Sequence, residues 1–137
     1  MKSFGLIILK TFLLFSAIVM LQSCEKPEGE GGYCTVTGSV WVRDYNATFT
    51  NLVGEYAGAD EAVYIIYGDA LGYSERIRTD YRGTYSFNYL RPGNYTVYVY
   101  SKDSTLQSIS GTIAVVQQFE ISKGDKNIEL PHFIIYN

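Results

Sequence analysis

From Tyr33 onward apolar and polar residues trade places in short bursts separated by turn formers, and that two-residue period predicts antiparallel strands rather than helices. Cys34, Val36, Gly38, Val40 and Val42 share one face of a first strand. Thr35, Thr37, Ser39 and Trp41 share the other, with Trp41 its one bulky member. Residues 43–61 carry Asn, Gly and Asp punctuation without a sustained period, which predicts a long connection or lid. Residues 62–67 form an apolar run suited to a buried strand closed by Gly68-Asp69, and residues 75–79 alternate like a solvated strand.

Residues 79–97 hold the sharpest local pattern. Asp80 is placed to accept amides of its own turn, Gly83 to take positive φ, and Pro92-Gly93 to fill the centre of a type II turn. Tyr85 and Phe87 then face the same way as Tyr95, Val97 and Val99 across a predicted hairpin. Residues 109–121 and 127–136 read as two more strands. Gly111 marks a bulge or break, Gly124-Asp125 a turn, and Pro131 an edge position, since proline has no N–H for a second neighbour. The fold class expected is all-β, a single antiparallel sandwich of about seven strands over residues 33–137.

The first 23 residues follow different rules. Lys2 opens them, and an apolar stretch after Lys10 runs to Leu21, too short to span a bilayer comfortably and flanked by a charge that fits a longer span badly. They read as a secretory leader. Leu21-Gln22-Ser23-Cys24 resembles the lipobox of bacterial lipoproteins, which implies cleavage before Cys24, diacylglycerol on its thiol, and acyl chains such as palmitate. Each buried methylene contributes about 0.8 kcal/mol, so two or three chains hold a protein on a membrane where one would leak. Residues 24–32 carry three acids after Cys24 and no apolar side chain, and read as a flexible tether. That acidic stretch is similar to the export signal that carries lipoproteins to the outer face of the outer membrane in one group of Gram-negative bacteria.

Charge and composition narrow the function. The net charge is −3, and losing Lys2 and Lys10 with the leader, from 11 bases against 14 acids, takes it to −5. Binding driven by nucleic-acid phosphates is excluded as an expectation. The single His, His132, is expected to be a structural or exposed strand residue. No Cys/His spacing suits a metal, and adjacent acids such as Asp60-Glu61 point to opposite faces of a strand, so neither a catalytic set, a metal nor a cofactor is expected. With Cys24 lipidated, Cys34 lacks a partner and shares the parity of the core valines, so it reads as a buried small hydrophobe rather than a reactive thiol.

The string T-D-x-x-G-x-Y-x-F-x-x-L-x-P-G-x-Y-x-V, filled by Thr79, Asp80, Gly83, Tyr85, Phe87, Leu90, Pro92, Gly93, Tyr95 and Val97, resembles the hallmark of carboxypeptidase regulatory-like and collagen-binding B-type domains. That resemblance implies a prealbumin-like sandwich, with a loop up to Glu61 longer than the family's. Some such domains carry an isopeptide bond; Asn127 would suit it, but residues 33–42 contain no Lys, so none is expected. Asp103-Ser104-Thr105 resembles a bacterial O-glycosylation acceptor. The function expected is a non-enzymatic, membrane-anchored envelope module binding a glycan or a protein, with a subunit of a pilus-like or cell-surface assembly as the alternative. The candidate contact residues are Trp41, Tyr45, Phe49, Tyr56, Tyr98 and Tyr100, aromatics able to stack on sugars or anchor an interface.

Overall fold

The computed structural model describes residues 26–137. The expected leader and the expected lipidation at Cys24 lie outside the described residues. Among the described residues there are nine strands and no helix: β1 (Glu30–Tyr45), β2 (Leu52–Ala57), β3 (Ala62–Tyr67), β4 (Glu75–Arg78), β5 (Thr84–Leu90), β6 (Gly93–Lys102), β7 (Thr112–Ile121), β8 (Asn127–Glu129) and β9 (Phe133–Tyr136). They form two facing sheets, an all-β sandwich.

β1 is the spine of the first sheet. Both the N–H and the C=O of one strand residue point to the same side, and Val40 donates to Gly83 O while accepting from Gly58 N, each at 2.8 Å. β5 and β2 therefore lie end to end along one side of β1, meeting at Val40. β8 and β9 run parallel to β1 along the other side, pairing with Thr35 to Thr37 and with Val40 to Arg43. The second sheet has the order β4-β3-β6-β7, all antiparallel.

The core forms where the two inner faces meet. Cys34, Val36, Val40 and Val42 of β1, with Tyr85, Phe87 and Leu90 of β5, face Val63 and Ile65 of β3 and Tyr95, Val97 and Val99 of β6. Each such aliphatic side chain removed from water stabilises the fold by roughly 1.5–3 kcal/mol. The Tyr85 ring lies across Gly38, where a Cβ would overlap its phenol oxygen. That oxygen is buried without a hydrogen-bond partner, and burial pushes the phenol up from its ordinary pKa.

Several expectations need correction. Residues 43–61 are mostly not a lid: β1 continues to Tyr45 and β2 pairs back on it from Trp41↔Ala57 to Tyr45↔Leu52. The period was masked because β2 is an edge strand with both faces largely exposed. Pro92-Gly93 does not close a hairpin. β5 pairs with β1 and β6 with β3 and β7, so the chain arches from one sheet to the other, and Tyr85 and Phe87 meet Tyr95 and Val97 face to face across the core. β3 is buried on one face only. Residues 127–136 break at Leu130, Pro131 and His132 into β8 and β9, which pair with β1 alone.

The chain is also ordered earlier than Tyr33. Glu30 already pairs with Leu90, Gly29 O accepts from Arg91 N at 2.9 Å, and Gly29 N donates to Tyr95 Oη at 2.9 Å. Arg91 Nη1 reaches Pro27 O at 3.3 Å. Residues 27–32 are therefore tied to the arch rather than free as a tether.

Candidate functional site

Alternation along β3 and β6 decides what the outer face of the second sheet carries. With Val63, Ile65, Val97 and Val99 turned inward, Tyr64, Tyr98 and Tyr100 turn outward. Register then aligns them: Arg76 stands opposite Tyr64, Tyr64 opposite Tyr98, and Tyr98 opposite Val116. Tyr64 and Tyr98 stack with centroids 4.9 Å apart and planes 8° apart. Tyr73, from the β3–β4 connection, meets Tyr64 edge-on at 5.2 Å, and Tyr100 meets both Tyr64 and Tyr98 edge-on at 5.7 and 5.6 Å. The Arg76 guanidinium lies 5.7 Å from the Tyr64 centroid, within cation–π range.

The result is a four-ring aromatic surface, three rings on strands and Tyr73 on the connection beside them. Tyr73 and Tyr100, 58% and 50% exposed, offer ring area to solvent, while Tyr64 and Tyr98 are the half-buried support. Desolvation among the rings, and then the charge and hydroxyl of Tyr100, push the Tyr98 phenol up from its ordinary pKa. The phenol hydroxyls of this face stand beside the Arg76 guanidinium. Such a surface suits a ligand with flat apolar patches and a fringe of hydroxyls or anionic groups.

The fold disperses the remaining aromatics named from the sequence. Trp41 lies on the outer face of the opposite sheet, between Ala57 and Ile134. Beside it are the Arg43–Glu55 ion pair at 2.6 Å and His132, whose Nδ1 is 3.2 Å from Ser39 Oγ. Tyr45 and Phe49 form a trio with Tyr136 at the end of the sandwich where β1 finishes, with centroids 5.7 to 6.2 Å apart. The Asn46 side chain holds that loop by accepting Thr50 N and Asn51 N. Tyr56 sits at the β2 edge, its hydroxyl accepting from Asn137.

Of the six candidates, Tyr98 and Tyr100 come together on this surface, and Tyr45 and Phe49 come together at the end of the sandwich. Tyr64, Tyr73 and Arg76 were missed. Tyr64 was legible as the odd member of Ala62–Tyr67 by parity alone, whereas Tyr73 sits in a connection that has no period.

Among the described residues, no group of three or more His, Cys, Asp or Glu side chains could hold a metal. Cys34 is buried, and burial followed by the Asp125 charge raises its thiol pKa. Asp103, of the acceptor-like triplet, is buried, and its carboxylate accepts from Thr105 Oγ1, Ser108 N, Thr105 N and Gln107 N at 2.6 to 2.9 Å. These bonds pull its pKa to about 2, while Ser104 stands exposed.

No protein-family model matches the chain, and neither does any curated protein. Among solved structures it is similar to a Pseudomonas aeruginosa protein named as a "putative carbohydrate binding protein". The two are 14% identical, the match covers 80% of this chain and 91% of that one, and the TM-score is 0.48. A likeness at that level carries no statement about what this chain binds.

Proposed function

We propose that the chain is a non-enzymatic binding module of a bacterial cell envelope, held on the outer membrane through lipid on Cys24, exposed at the cell surface, and taking a glycan on its tyrosine surface. The observation that carries the binding site is the cluster of Tyr64, Tyr73, Tyr98 and Tyr100 on one strand-backed face. Two of these rings are held in place by the other two, so a sugar stacking on Tyr73 or Tyr100 need not order a loose side chain first. Nothing in the charge favours nucleic acid. The lipobox-like string supports the anchor, and the acidic residues after it support surface exposure.

The test is binding of the purified protein to an array of polysaccharides. Replacing Tyr73 and Tyr100 by Ala is expected to weaken the strongest hits at least about tenfold, or about 1.4 kcal/mol, with the fold unchanged by circular dichroism. Arrays that stay blank, or hits indifferent to both substitutions, would overturn the glycan assignment. A role as an assembly subunit is the second reading, favoured by β7: ten residues without proline that pair only with β6. Concentration-dependent oligomers in sedimentation would support it.

A further inference from the structure

The docked amino-terminal segment fixes how the molecule stands if Cys24 is its anchor. Glu30 pairs with Leu90, Gly93 with Ile121, and Thr35 with Asn127. The start of β1, the β5–β6 arch, the β7–β8 turn and the entering chain are therefore all at one end of the sandwich. Gly68 N donates to Asn94 O at 2.9 Å, which brings the β3–β4 connection to the same end. The opposite end holds residues 46–51, residues 103–111 and Asn137.

The entering segment is firmly held there. Besides the bonds of Gly29 and Pro27, Glu28 lies against Gly68 and Gly93, whose positive φ and missing Cβ leave it room, and its carboxylate accepts from Asn94 N at 3.5 Å. Lys26 is two residues from Cys24, a span of at most about 7 Å even fully extended. A lipid on Cys24 thus has almost no free chain between the bilayer and the fold.

That same end exposes large side chains that packing does not explain. Tyr33 is 91% and Tyr89 71% exposed, and Leu71 is wholly exposed on the β3–β4 connection. Lys26 and Lys126 share that end with the exposed acids Glu30, Asp69 and Glu120, while Arg91 is turned onto the Pro27 carbonyl. Exposed tyrosines at the point where a lipid-linked chain enters match the interfacial layer of a membrane, where amphipathic rings sit at the headgroup level.

We propose that this end of the sandwich rests directly on a phospholipid headgroup surface through Tyr33, Leu71 and Tyr89, so that the domain stands upright without a tether. The proposal builds on the Cys24 anchor. Tyr98, five residues along β6 from Gly93, then lies about 17 Å above the contact, on the flank of the molecule and open to a ligand from the side.

The test uses the full lipidated chain in vesicles of phosphatidylethanolamine and phosphatidylglycerol. Single spin labels are placed on Lys126→Cys at the proposed contact and on Asn51→Cys at the far end, Cys34 being buried. Flotation reports anchoring, and accessibility to a water-soluble nickel chelate reports depth. The expected result is flotation of both, with the Lys126→Cys label severalfold less accessible than the Asn51→Cys label. Combining Tyr33→Ser, Leu71→Ser and Tyr89→Asn is expected to raise the accessibility of the Lys126→Cys label while flotation stays complete. Flotation with both labels equally accessible, or a triple variant that leaves the depth unchanged, overturns the resting posture while leaving the anchor standing. Failure of the parent chain to float overturns the anchor and the posture together.

Discussion

Tyr85 shows what a single residue contributes here and what it costs. Its ring fills the space that Gly38 leaves in the core, yet its buried hydroxyl has no partner. A buried donor without a partner forfeits its bonds to water, so Tyr85→Phe is expected to leave stability unchanged or raise it by up to about 1 kcal/mol in urea unfolding. Asp103 makes the opposite case, because four hydrogen bonds to its carboxylate order the loop after β6. Its folded pKa of about 2 lies below the unfolded value of about 3.9, so its stabilisation is present above the higher value and is lost as pH falls from about 4 to about 2. Asp103→Asn should lower Tm at neutral pH and flatten the acid side of a Tm-against-pH profile over that interval. A profile as steep as the parent's would remove Asp103 as its source.

At the scale of the element, the turn before β5 was readable residue by residue. Asp80 accepts from Arg82 N and Thr84 N at 2.8 and 2.9 Å, and Gly83 takes φ +74°. The use of that conformation appears only in three dimensions, where Gly83 O caps the junction of β5 and β2 on Val40. Gly83→Ala forces a left-handed alanine and sets a Cβ against the Val40 carbonyl. A loss of roughly 1–3 kcal/mol in denaturant unfolding is expected. The pairing of β2 with β1 gives a related expectation. Removing residues 46–57 strips β2 from β1 and opens the side of Val40 and Val42, so Tm should fall markedly, whereas shortening 47–50 alone should not lower it comparably.

Over the whole molecule, the two sheets separate surfaces that sequence reasoning had pooled. Trp41 faces away from Tyr98 and Tyr100, and Tyr45 and Phe49 cluster at an end, so one ligand cannot use all six aromatics without wrapping the sandwich. Substituting Trp41 is accordingly expected to leave polysaccharide binding unchanged, measured beside the Tyr73 and Tyr100 variants. Cys24→Ala should move the protein from the membrane to the soluble fraction. Membrane retention with the leader uncut would refute the lipid anchor.

Side-chain alternation alone determined that this chain is all-β and which residues of β1, β5 and β6 face inward, because a strand's period is set by its own backbone geometry. It also placed Cys34 with the core valines and the Asp80 and Gly83 turn in its correct conformation, both being local consequences of residue type. Alternation states a side and never a neighbour, so only the tertiary structure decided that Pro92-Gly93 joins two sheets instead of closing a hairpin. Edge strands such as β2 bury little on either face and leave a faint period. The register between β3 and β6 is a long-range choice made by core packing, and it alone brought Tyr64 against Tyr98 and assembled the tyrosine surface.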